Sequence, residues 1–364
     1  MSPAVAPPPP PIVAPAPVVF GRIAVRVGRN TTRIQAVTDG RSRLAIPVPR
    51  GPRTVSLRLP TGRWNLRVRA IGPGGVRLSR VSRLTWVLPA SGHKLGTTQG
   101  RLDRRLQADL VRLTGRLPAI SGVYAQHLVT GCGAGVNAAA PFPTASVLKA
   151  GILLDAVRRP AGASSSLLDR MIIDSNDLAA NQVLAIQGGG DGVRGATRVT
   201  ETLRLIGLRE ALVRRPYIIE EASRPIPIEA TARPALYTNY IGSPLEMARM
   251  FVVIHRSAIG GTAARRLGIR PADARRELTR RFLEVRDRTK FAHGLPDGMP
   301  LLHKTGYTEQ VKHDVGVVYT RSGPIVVAAM TWSASGVGDA VGDGFAADVM
   351  RAVVRRLAAS GGRC

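Results

Sequence analysis

The run over residues 147–157, VLKAGILLDAV, restricts the fold most, because it is apolar nearly all round. A helix of that composition belongs in the interior of a domain and not on its surface. Ser146 and Lys149 lie one helical turn apart at the start of this run, so on a helix both side chains face the same way. The sequence therefore predicts a buried central helix that carries a serine and a lysine together.

Lysine is scarce beside arginine in this chain, which makes the position of Lys149 informative. A guanidinium is always charged in proteins, whereas an ammonium can lose its proton when it is desolvated. A neutral amine within reach of a serine hydroxyl activates that hydroxyl as a nucleophile. Ser146 and Lys149 are thus a candidate nucleophile and base; the simpler alternative is a helix-start serine with a lysine that extends to solvent.

Two further short motifs lie at predicted element boundaries. In MIIDSNDLAAN, residues 175–177 read Ser-Asn-Asp, where an apolar helix gives way to a polar turn and another helix begins. In LLHKTGYTEQ, residues 304–306 read Lys-Thr-Gly on a predicted edge strand, just before a hairpin. The motifs come from distant parts of the chain, so together they restrict the fold more than each does alone.

The order S-x-x-K, S-D-N and K-T-G is the signature of class A β-lactamases and penicillin-binding proteins. Residues 101–358 resemble a class A β-lactamase-like serine hydrolase in this order. LVTGCGAGVNAAAPFPTASVLKAGIL also looks like the family's first hairpin, GLPDGMPLLHKTG is similar to the approach to its third motif, and HDVGVVY is similar to the strand that follows. The resemblance implies an α+β fold of the β-lactamase/transpeptidase type, with an antiparallel sheet flanked by helices and a helical subdomain.

By this resemblance, Ser146 would attack a carbonyl carbon, Lys149 would accept its proton and Ser175 would pass a proton to the leaving nitrogen. The family's deacylating glutamate lies in an E-x-x-L-N run, which is absent from this sequence. Glu220 is the candidate in the corresponding region, RRPYIIEEASRPIPIE, with Glu221 beside it. A surface loop with incidental acids is the alternative interpretation of that region.

The resemblance also implies a substrate-binding set. Lys304 and Thr305 would bind a substrate carboxylate, and Gly306 would let the strand approach the ligand closely. The backbone N–H of Tyr307, with that of the nucleophilic serine, would form the oxyanion hole. Asp177 is the candidate for contact with a substrate amide, although an acceptor-only carboxylate here replaces the family's amide donor. The stretch between the first two motifs is shorter than is usual in the family, which predicts a reduced cleft rim.

The chain before the motifs has a different organisation. Residues 1–17 are proline-rich and lack a helical or strand period, which predicts an extended tether. Residues 18–88 contain short alternating stretches such as RIAVRV, TVSLRL and RLTWVL, which predict a small all-β sandwich. LPTGRWNLRVRAIGPGG resembles the later strands of fibronectin type III or immunoglobulin-like modules. Residues 89–100 are the predicted linker to a catalytic domain over residues 101–358.

The pattern of the second domain mixes helical and strand periods. RLDRRLQADLVRLTGRL predicts a helix, ISGVYAQHLVTGCGAGVNA two strands joined by a Gly-rich turn, and VGVVYTRSGPIVVAAMTW a strand hairpin. Residues 243–246, Ser-Pro-Leu-Glu, are typical of a capped helix start. Phe345, Val349, Val353 and Leu357 predict a closing amphipathic helix. This order favours a sheet that is built from both ends of the domain.

The formal net charge of +28 suggests nucleic acid as a partner. The arginines are spread along the chain, however, and an aromatic content of 4% leaves few rings for base stacking, so we expect no nucleic-acid partner. An anionic cell-wall polymer is a candidate partner, and a solvated surface of biased composition is the simpler interpretation. We expect no transmembrane segment, because no apolar run approaches the ~20 residues that span a bilayer. The six histidines lack metal-ligand spacing, so neither a metal nor a cofactor is expected.

The two cysteines, Cys132 and Cys364, are too few for a disulfide framework, and the sequence leaves open whether they pair. The start, MSPAVAPPPPPIVAPAPVVF, has neither the basic segment nor the proline-free apolar core of a secretion signal. Either the chain stays inside the cell or its leader lies outside this sequence. The family resemblance implies an extracytoplasmic location, which is periplasmic, secreted or associated with the cell wall.

Three functions follow from these observations. The first is hydrolysis of β-lactams, which are cyclic amides, through an acyl-enzyme at Ser146, an activity that confers antibiotic resistance. The second is a penicillin-binding, D-Ala-D-Ala peptidase-like enzyme of the cell wall, and the third is a catalytically weak homologue that binds the wall. The intact motif serines and lysines argue against the third, and the absent E-x-x-L-N run favours the second over the first. The frequency of lactamases in the family leads us to expect the first.

Overall fold

The computed structural model describes residues 6–13, 16–38, 41–48, 53–79, 83–94, 96, 100–217 and 239–364 of the chain. The chain divides into two compact units, Met1–His93 and Lys94–Cys364. Within the described ranges, no helix combines the length and the apolarity that crossing a membrane requires.

The described part of the N-terminal unit is made of β-strands in two sheets. The strands are β1 (Ile12–Val13), β2 (Val18–Phe20), β3 (Ile23–Val27), β4 (Arg33–Thr38), β5 (Arg41–Pro47), β6 (Arg53–Leu57), β7 (Gly62–Gly72), β8 (Gly75–Leu78) and β9 (Arg83–Leu88). One sheet has the order β1-β3-β6 and the other β2-β9-β7-β4-β5, with β8 paired to β7. Val25 and Leu57 of the first sheet share a hydrophobic core with Ile34 and Leu66 of the second, so the two sheets form a sandwich.

The start of this unit differs from the predicted tether. Ile12–Val13 pairs with β3 in an antiparallel register, and Val13 is buried. Two residues are too short to show a strand period, so the proline-rich context hid this strand. The division between the two units falls inside the predicted linker over residues 89–100, whose residues Ala90–His93 form a 3₁₀ turn. The resemblance to immunoglobulin-like modules stays a prediction.

The C-terminal unit contains a mixed set of strands and helices. Its strands are β10 (Arg101–Leu102), β11 (Ile120–His127), β12 (Cys132–Val136), β13 (Phe142–Pro143), β14 (Leu212–Val213), β15 (Tyr240–Gly242), β16 (Leu301–Tyr307), β17 (Lys312–Tyr319) and β18 (Pro324–Trp332). The main sheet has the order β10-β12-β11-β18-β17-β16, and β13-β15-β14 form a small second sheet. Strands from both ends of the unit thus share one sheet, as the sequence predicts, and β16 is an edge strand.

The helices of the described part of this unit lie between and after these strands. They are α1 (Arg104–Arg116), α2 (Lys149–Arg158), α3 (Ser165–Ile173), α4 (Asp177–Gln187), α5 (Gly192–Leu205), α6 (Pro244–Ile259), α7 (Thr262–Leu267), α8 (Pro271–Asp273), α9 (Arg280–Leu283) and α10 (Asp339–Val353). A π-helical turn at Ala274–Thr279 joins α8 to α9, and another at Val354–Ala358 extends α10. The C-terminal unit is therefore α+β, with helices packed around a largely antiparallel sheet, as the sequence predicts.

Local signals explain where several of these helices begin and what they bury. The Ser243 hydroxyl accepts a hydrogen bond from the Glu246 backbone N–H at 3.2 Å, so the predicted cap of α6 is confirmed. The predicted apolar positions of the closing helix, Phe345, Val349, Val353 and Leu357, all lie in the core beneath the main sheet. In α2, every residue from Lys149 to Ala156 is buried, which confirms a central helix.

The sequence leaves open whether the two cysteines pair. In the structure, Cys132 and Cys364 form a disulfide. This bond attaches the end of the chain to the start of β12, across a sequence separation of 232 residues. Closing a loop of such length stabilises a fold by roughly 2–4 kcal/mol, mainly by restricting the unfolded chain. The disulfide therefore attaches the last residue of the chain to a strand of the main sheet.

We predict that the two units fold independently and that limited proteolysis cuts between about Pro89 and Gly100, because each unit has its own core. Mass spectrometry of the fragments gives the cleavage sites. Early cleavage deep inside either unit, with residues 89–100 intact, would contradict this boundary.

Candidate active site

Ser146 lies in a 3₁₀ turn, Ala145–Leu148, immediately before α2. Ala145, which precedes it, has a φ of 45°, a left-handed conformation that is rare for a residue with a side chain. Such backbone costs about 1–3 kcal/mol and persists only where the surrounding structure enforces it, often at functional sites. The chain thus holds the Ser146 hydroxyl in a fixed orientation at the start of a buried helix.

Lys149, the first residue of α2, has a side chain that is completely buried. Its Nζ donates to Ser146 Oγ at 2.9 Å and also reaches Ser175 Oγ at 3.4 Å. It further bonds the Ser175 carbonyl and forms an ion pair with Asp177. Burial lowers the pKa of Lys149, and the carboxylate of Asp177 opposes this shift. The predicted serine and lysine are therefore in direct contact, in an environment that favours loss of the ammonium proton.

The second motif lies in the turn between α3 and α4. Ser175 has a φ of 58°, so it too occupies the left-handed region. Asn176 caps α4, because its Oδ1 accepts a hydrogen bond from the Ala179 backbone N–H at 2.7 Å. This geometry directs Ser175 and the half-exposed Asp177 toward Lys149. The sequence predicts contact between Asp177 and a substrate amide. In the structure its carboxylate forms an ion pair with the candidate base, Lys149.

Lys304 of the edge strand β16 completes the cluster from the main sheet. Its buried Nζ donates to Ser175 Oγ at 2.7 Å and to the Thr305 carbonyl at 2.9 Å. Burial, and then the charge of Lys149, lower the pKa of Lys304 to about 7. Near neutral pH this amine can therefore either hold or release a proton. Ser146, Lys149, Ser175 and Lys304 form one continuous chain of contacts.

Gly306 allows a close approach within the protein itself, and the approach of this strand to a ligand stays a prediction. A Cβ at this position would lie 2.7 Å from the Thr144 carbonyl oxygen and 3.0 Å from Val147 Cγ2. Only glycine lets β16 lie against the turn that carries the nucleophile. The neighbouring Thr305 hydroxyl is buried and has no hydrogen-bond partner among the described residues.

Tyr307 follows at the end of β16, with its side chain 57% exposed. The Nζ atoms of Lys290 and Lys312 lie 5.6 and 5.7 Å from the centre of its ring. Both ammonium groups are paired with carboxylates, Lys290 with Asp287 and Asp343 and Lys312 with Asp339, so they add little net positive charge at the end of this strand. The oxyanion role of the Tyr307 backbone N–H stays a prediction.

The two glutamates predicted as candidates for deacylation, Glu220 and Glu221, lie outside the described residues. Within the described part of the chain, no group of three or more His, Cys, Asp or Glu side chains could hold a metal ion.

Sequence reasoning missed Tyr217, which joins the cluster from a loop. Its hydroxyl donates to the Ala145 carbonyl at 3.2 Å, and its ring centre lies 4.8 Å from Lys149 Nζ. Asn181 on α4 positions it: Oδ1 accepts from the Tyr217 backbone N–H at 2.6 Å, and Nδ2 donates to its carbonyl at 2.8 Å. Asn181 lies four residues after Asp177 and so on the same helix face, which was the one available sequence signal.

We predict that Asp177→Asn shifts the pH dependence of Ser146 acylation to lower pH by about one unit. The carboxylate stabilises the Lys149 ammonium, so its removal lowers the pKa of Lys149 further and yields more neutral amine at a given pH. Because Lys304 titrates beside it, the midpoint belongs to the lysine pair and is measured as an apparent pKa.

The matched control is Asp174→Asn. Asp174 lies three residues before Asp177, and its carboxylate pairs with Arg286. It should leave the midpoint of the pH profile in place. An unchanged midpoint in Asp177→Asn would show that this carboxylate does not control the base.

A family model described as the beta-lactamase enzyme family matches residues 162–358. The solved structure of PBP-A has a similar fold, at 22% identity and a TM-score of 0.55 over 71% of this chain and 97% of that chain. The β-lactamase from Streptomyces albus G does too, at 24% identity and a TM-score of 0.55 over 69% and 98%. So does a variant of the last common ancestor of Gram-negative bacteria class A β-lactamase, at 23% identity and 0.56 over 69% and 97%.

Identities this low show the fold alone, and they confirm the predicted β-lactamase/transpeptidase-like fold class. No curated protein sequence matches the chain. The family match includes Ser175 and Lys304, and it covers more than half of the 364 residues. The chain therefore belongs to the beta-lactamase enzyme family.

Proposed function

We propose that this protein is a serine hydrolase that reacts with β-lactams and forms an acyl-enzyme at Ser146. The observation that carries the proposal is the continuous chain of contacts from Ser146 through Lys149 and Ser175 to Lys304. A hydroxyl, two buried amines and a second hydroxyl within hydrogen-bond reach can both remove a proton from the nucleophile and deliver one to a leaving group.

The reaction proceeds in two balanced steps. Ser146 Oγ gives its proton to the neutral Lys149 amine and forms an ester with the lactam carbonyl carbon, while the ring C–N bond breaks. The freed nitrogen takes a proton from the Ser175 hydroxyl, which regains one from the lysine pair. Water then attacks the ester, releases the opened acid and restores the Ser146 hydroxyl. No atom of the lactam leaves in the first step, because the leaving nitrogen stays tethered.

Substrate binding follows from the charge and the polar groups at β16. The unpartnered Thr305 hydroxyl and the positive potential of Lys304 favour the carboxylate of a β-lactam. Backbone N–H groups of Ser146 and Tyr307 would stabilise the oxyanion. A mutant of PBP-A, 21% identical to this chain, is known as an acyl-enzyme complex with penicillin G, which agrees with this substrate class.

A penicillin-binding peptidase of the D-Ala-D-Ala type is the second candidate, and the position of Tyr217 favours it. The ring of Tyr217 and the carboxylate of Asp177 both contact Lys149, and Asp177 is engaged in an ion pair. Tyr217 has no carboxylate, and the carboxylate of Asp177 is bound to Lys149, so neither side chain is positioned to activate water. Deacylation then depends on Glu220 or proceeds slowly. Slow deacylation would make β-lactams inhibitors, whereas rapid deacylation would provide resistance to them.

An extracytoplasmic location is part of the proposal. The Cys132–Cys364 disulfide supports it, because disulfides persist in oxidising compartments and are rare in the cytosol. Peptidoglycan peptides and β-lactams are both encountered there.

Intact-mass spectrometry after mixing with penicillin tests the acylation. We predict an added mass equal to that of the whole penicillin. This adduct should be lost completely in Ser146→Ala, because the nucleophile is removed. The fold should stay intact, since a substitution at a helix start costs at most ~2 kcal/mol of stability. The adduct's lifetime then separates the candidates, because a transient adduct indicates a lactamase and a lasting one a penicillin-binding protein. The same adduct on the alanine variant would show that another residue is the nucleophile.

We further propose that the N-terminal unit binds an anionic cell-wall polymer. Residues 1–93 contain fifteen arginines, no lysine and a single acid, Asp39, so most of these charges have no acid within the unit to pair with. Arg33 on β4 and Arg67 on β7 are exposed and lie on the outer face of their sheet, opposite Ile34 and Leu66 of the core. Such a face complements repeated negative charges.

We predict that the double variant Arg33→Gln with Arg67→Gln binds cell walls several-fold more weakly at low salt, because surface charge attraction is additive and screened by salt. Co-sedimentation with walls that retain or lack their anionic polymers measures this. Arg104→Gln with Arg105→Gln, an equal charge change at exposed positions of α1, is the matched control. Equal weakening by both pairs, or equally tight binding to walls without anionic polymers, would contradict the proposed surface.

A further inference from the structure

Tyr217 is held at both its backbone and its ring. The two hydrogen bonds from the Asn181 amide fix its peptide groups. Its ring stacks on Tyr240 of β15, with centroids 4.1 Å apart and an angle of 14° between the planes. The Tyr240 hydroxyl in turn donates to the Arg215 carbonyl at 2.6 Å. Tyr217 is therefore restrained from a helix, by Asn181, and from a strand, by the ring of Tyr240, so its side chain holds a fixed position.

The Tyr217 hydroxyl contacts the most strained part of the nucleophile turn. It donates to the carbonyl of Ala145, whose φ of 45° places it in the left-handed region directly before Ser146. Burial, and then the neighbouring Tyr240 and Asp177, raise the pKa of Tyr217 well above its ordinary value. The phenol therefore stays a hydrogen-bond donor throughout the pH range of an enzyme. This hydrogen bond offsets part of the backbone strain at Ala145 and fixes the orientation of the next residue, Ser146.

The face of the same ring contacts the candidate base. Lys149 Nζ lies 4.8 Å from the ring centre, within the distance at which an ammonium is attracted to an aromatic face. Among the described residues, the other polar or charged groups that face this amine come from three elements: Ser146 on the nucleophile turn, Ser175 and Asp177 at the start of α4, and Lys304 on β16 through Ser175. The aromatic face closes the remaining side of the amine with an apolar surface.

We propose that Tyr217 is a positioning residue for acylation: its hydroxyl holds the turn that presents Ser146, and its ring fixes the Lys149 ammonium. This inference rests on the proposed function, because it assigns Tyr217 a role in the reaction of Ser146. The two contacts belong to different parts of one side chain, so they can be separated by substitution.

Three variants separate them. Tyr217→Phe removes the hydroxyl and keeps the ring, and Tyr217→Leu removes both. Tyr240→Phe is the matched control, since it removes a hydroxyl from the other ring of the same stack, which bonds the Arg215 carbonyl and not the nucleophile turn. Thermal unfolding of each variant reports whether the fold is retained, and single-turnover acylation by a fluorescent penicillin is measured from pH 5 to 10.

In Tyr217→Phe we expect acylation to slow about tenfold, the effect of losing one well-placed hydrogen bond, with the midpoint of the pH profile unchanged. In Tyr217→Leu we expect the midpoint to fall by about half a pH unit or more as well, because the ring no longer stabilises the ammonium. Tyr240→Phe should acylate within about twofold of the parent, the scatter expected of a substitution outside the site. Apparent penicillin affinity should change little in all three.

Equal slowing in Tyr217→Phe and Tyr240→Phe would overturn the role of the hydroxyl, because the effect would then be one of general packing. A Leu variant with the parent's midpoint would overturn the role of the ring.

Labelling of Ser146 by a fluorophosphonate, a general serine-reactive probe, runs in parallel with each measurement. A parent protein that reacts with the fluorophosphonate and not with penicillin contradicts the proposed function alone. In that case the same comparison of Tyr217 and Tyr240 variants, made with the fluorophosphonate, still decides whether Tyr217 positions the nucleophile.

Discussion

The burial of the Lys149 side chain beside Ser146 is the constraint on which the rest of the site depends. A completely buried ammonium is stable only with compensating partners, and this one has a carboxylate, two serine hydroxyls and an aromatic face. These partners come from three elements, so satisfying one amine requires the nucleophile turn, the start of α4 and the Tyr217 loop to converge. The chemistry and the packing of the C-terminal unit are therefore the same problem.

A second buried lysine increases that demand. Lys304 and Lys149 both bond Ser175, and the proximity of two positive charges is one reason why the pKa of Lys304 falls to about 7. One carboxylate, that of Asp177, is paired with Lys149. Two ammonium charges close together in a buried environment are unfavourable, so the two lysines are not both stable in the charged form. The pair therefore carries a proton that is easily moved, which suits a reaction that first removes a proton from an oxygen and later gives one to a nitrogen.

Close backbone approach makes this convergence achievable. The absence of a side chain at Gly306 lets the edge strand lie against the turn that carries Ser146. Left-handed residues at Ala145 and Ser175 turn the chain sharply at the two places where a serine must point inward. The Tyr217 hydroxyl bonds the Ala145 carbonyl and Lys149 bonds the Ser175 carbonyl, so loss of either side chain would affect the backbone as well as the charge.

Local sequence was enough to predict the buried helix, the serine and lysine on one face of it, the strand hairpins and the capped start of α6, because each depends on contacts within a few residues. The order of three motifs was enough to identify the family fold and four members of the site. Three contacts could be seen only in the folded chain: Asp177 pairs with the base, Tyr217 reaches both Ala145 and Lys149, and Cys132 bonds Cys364. These contacts join residues far apart in the chain, and no local period records them, since they arise from the path that the backbone takes once its core has formed.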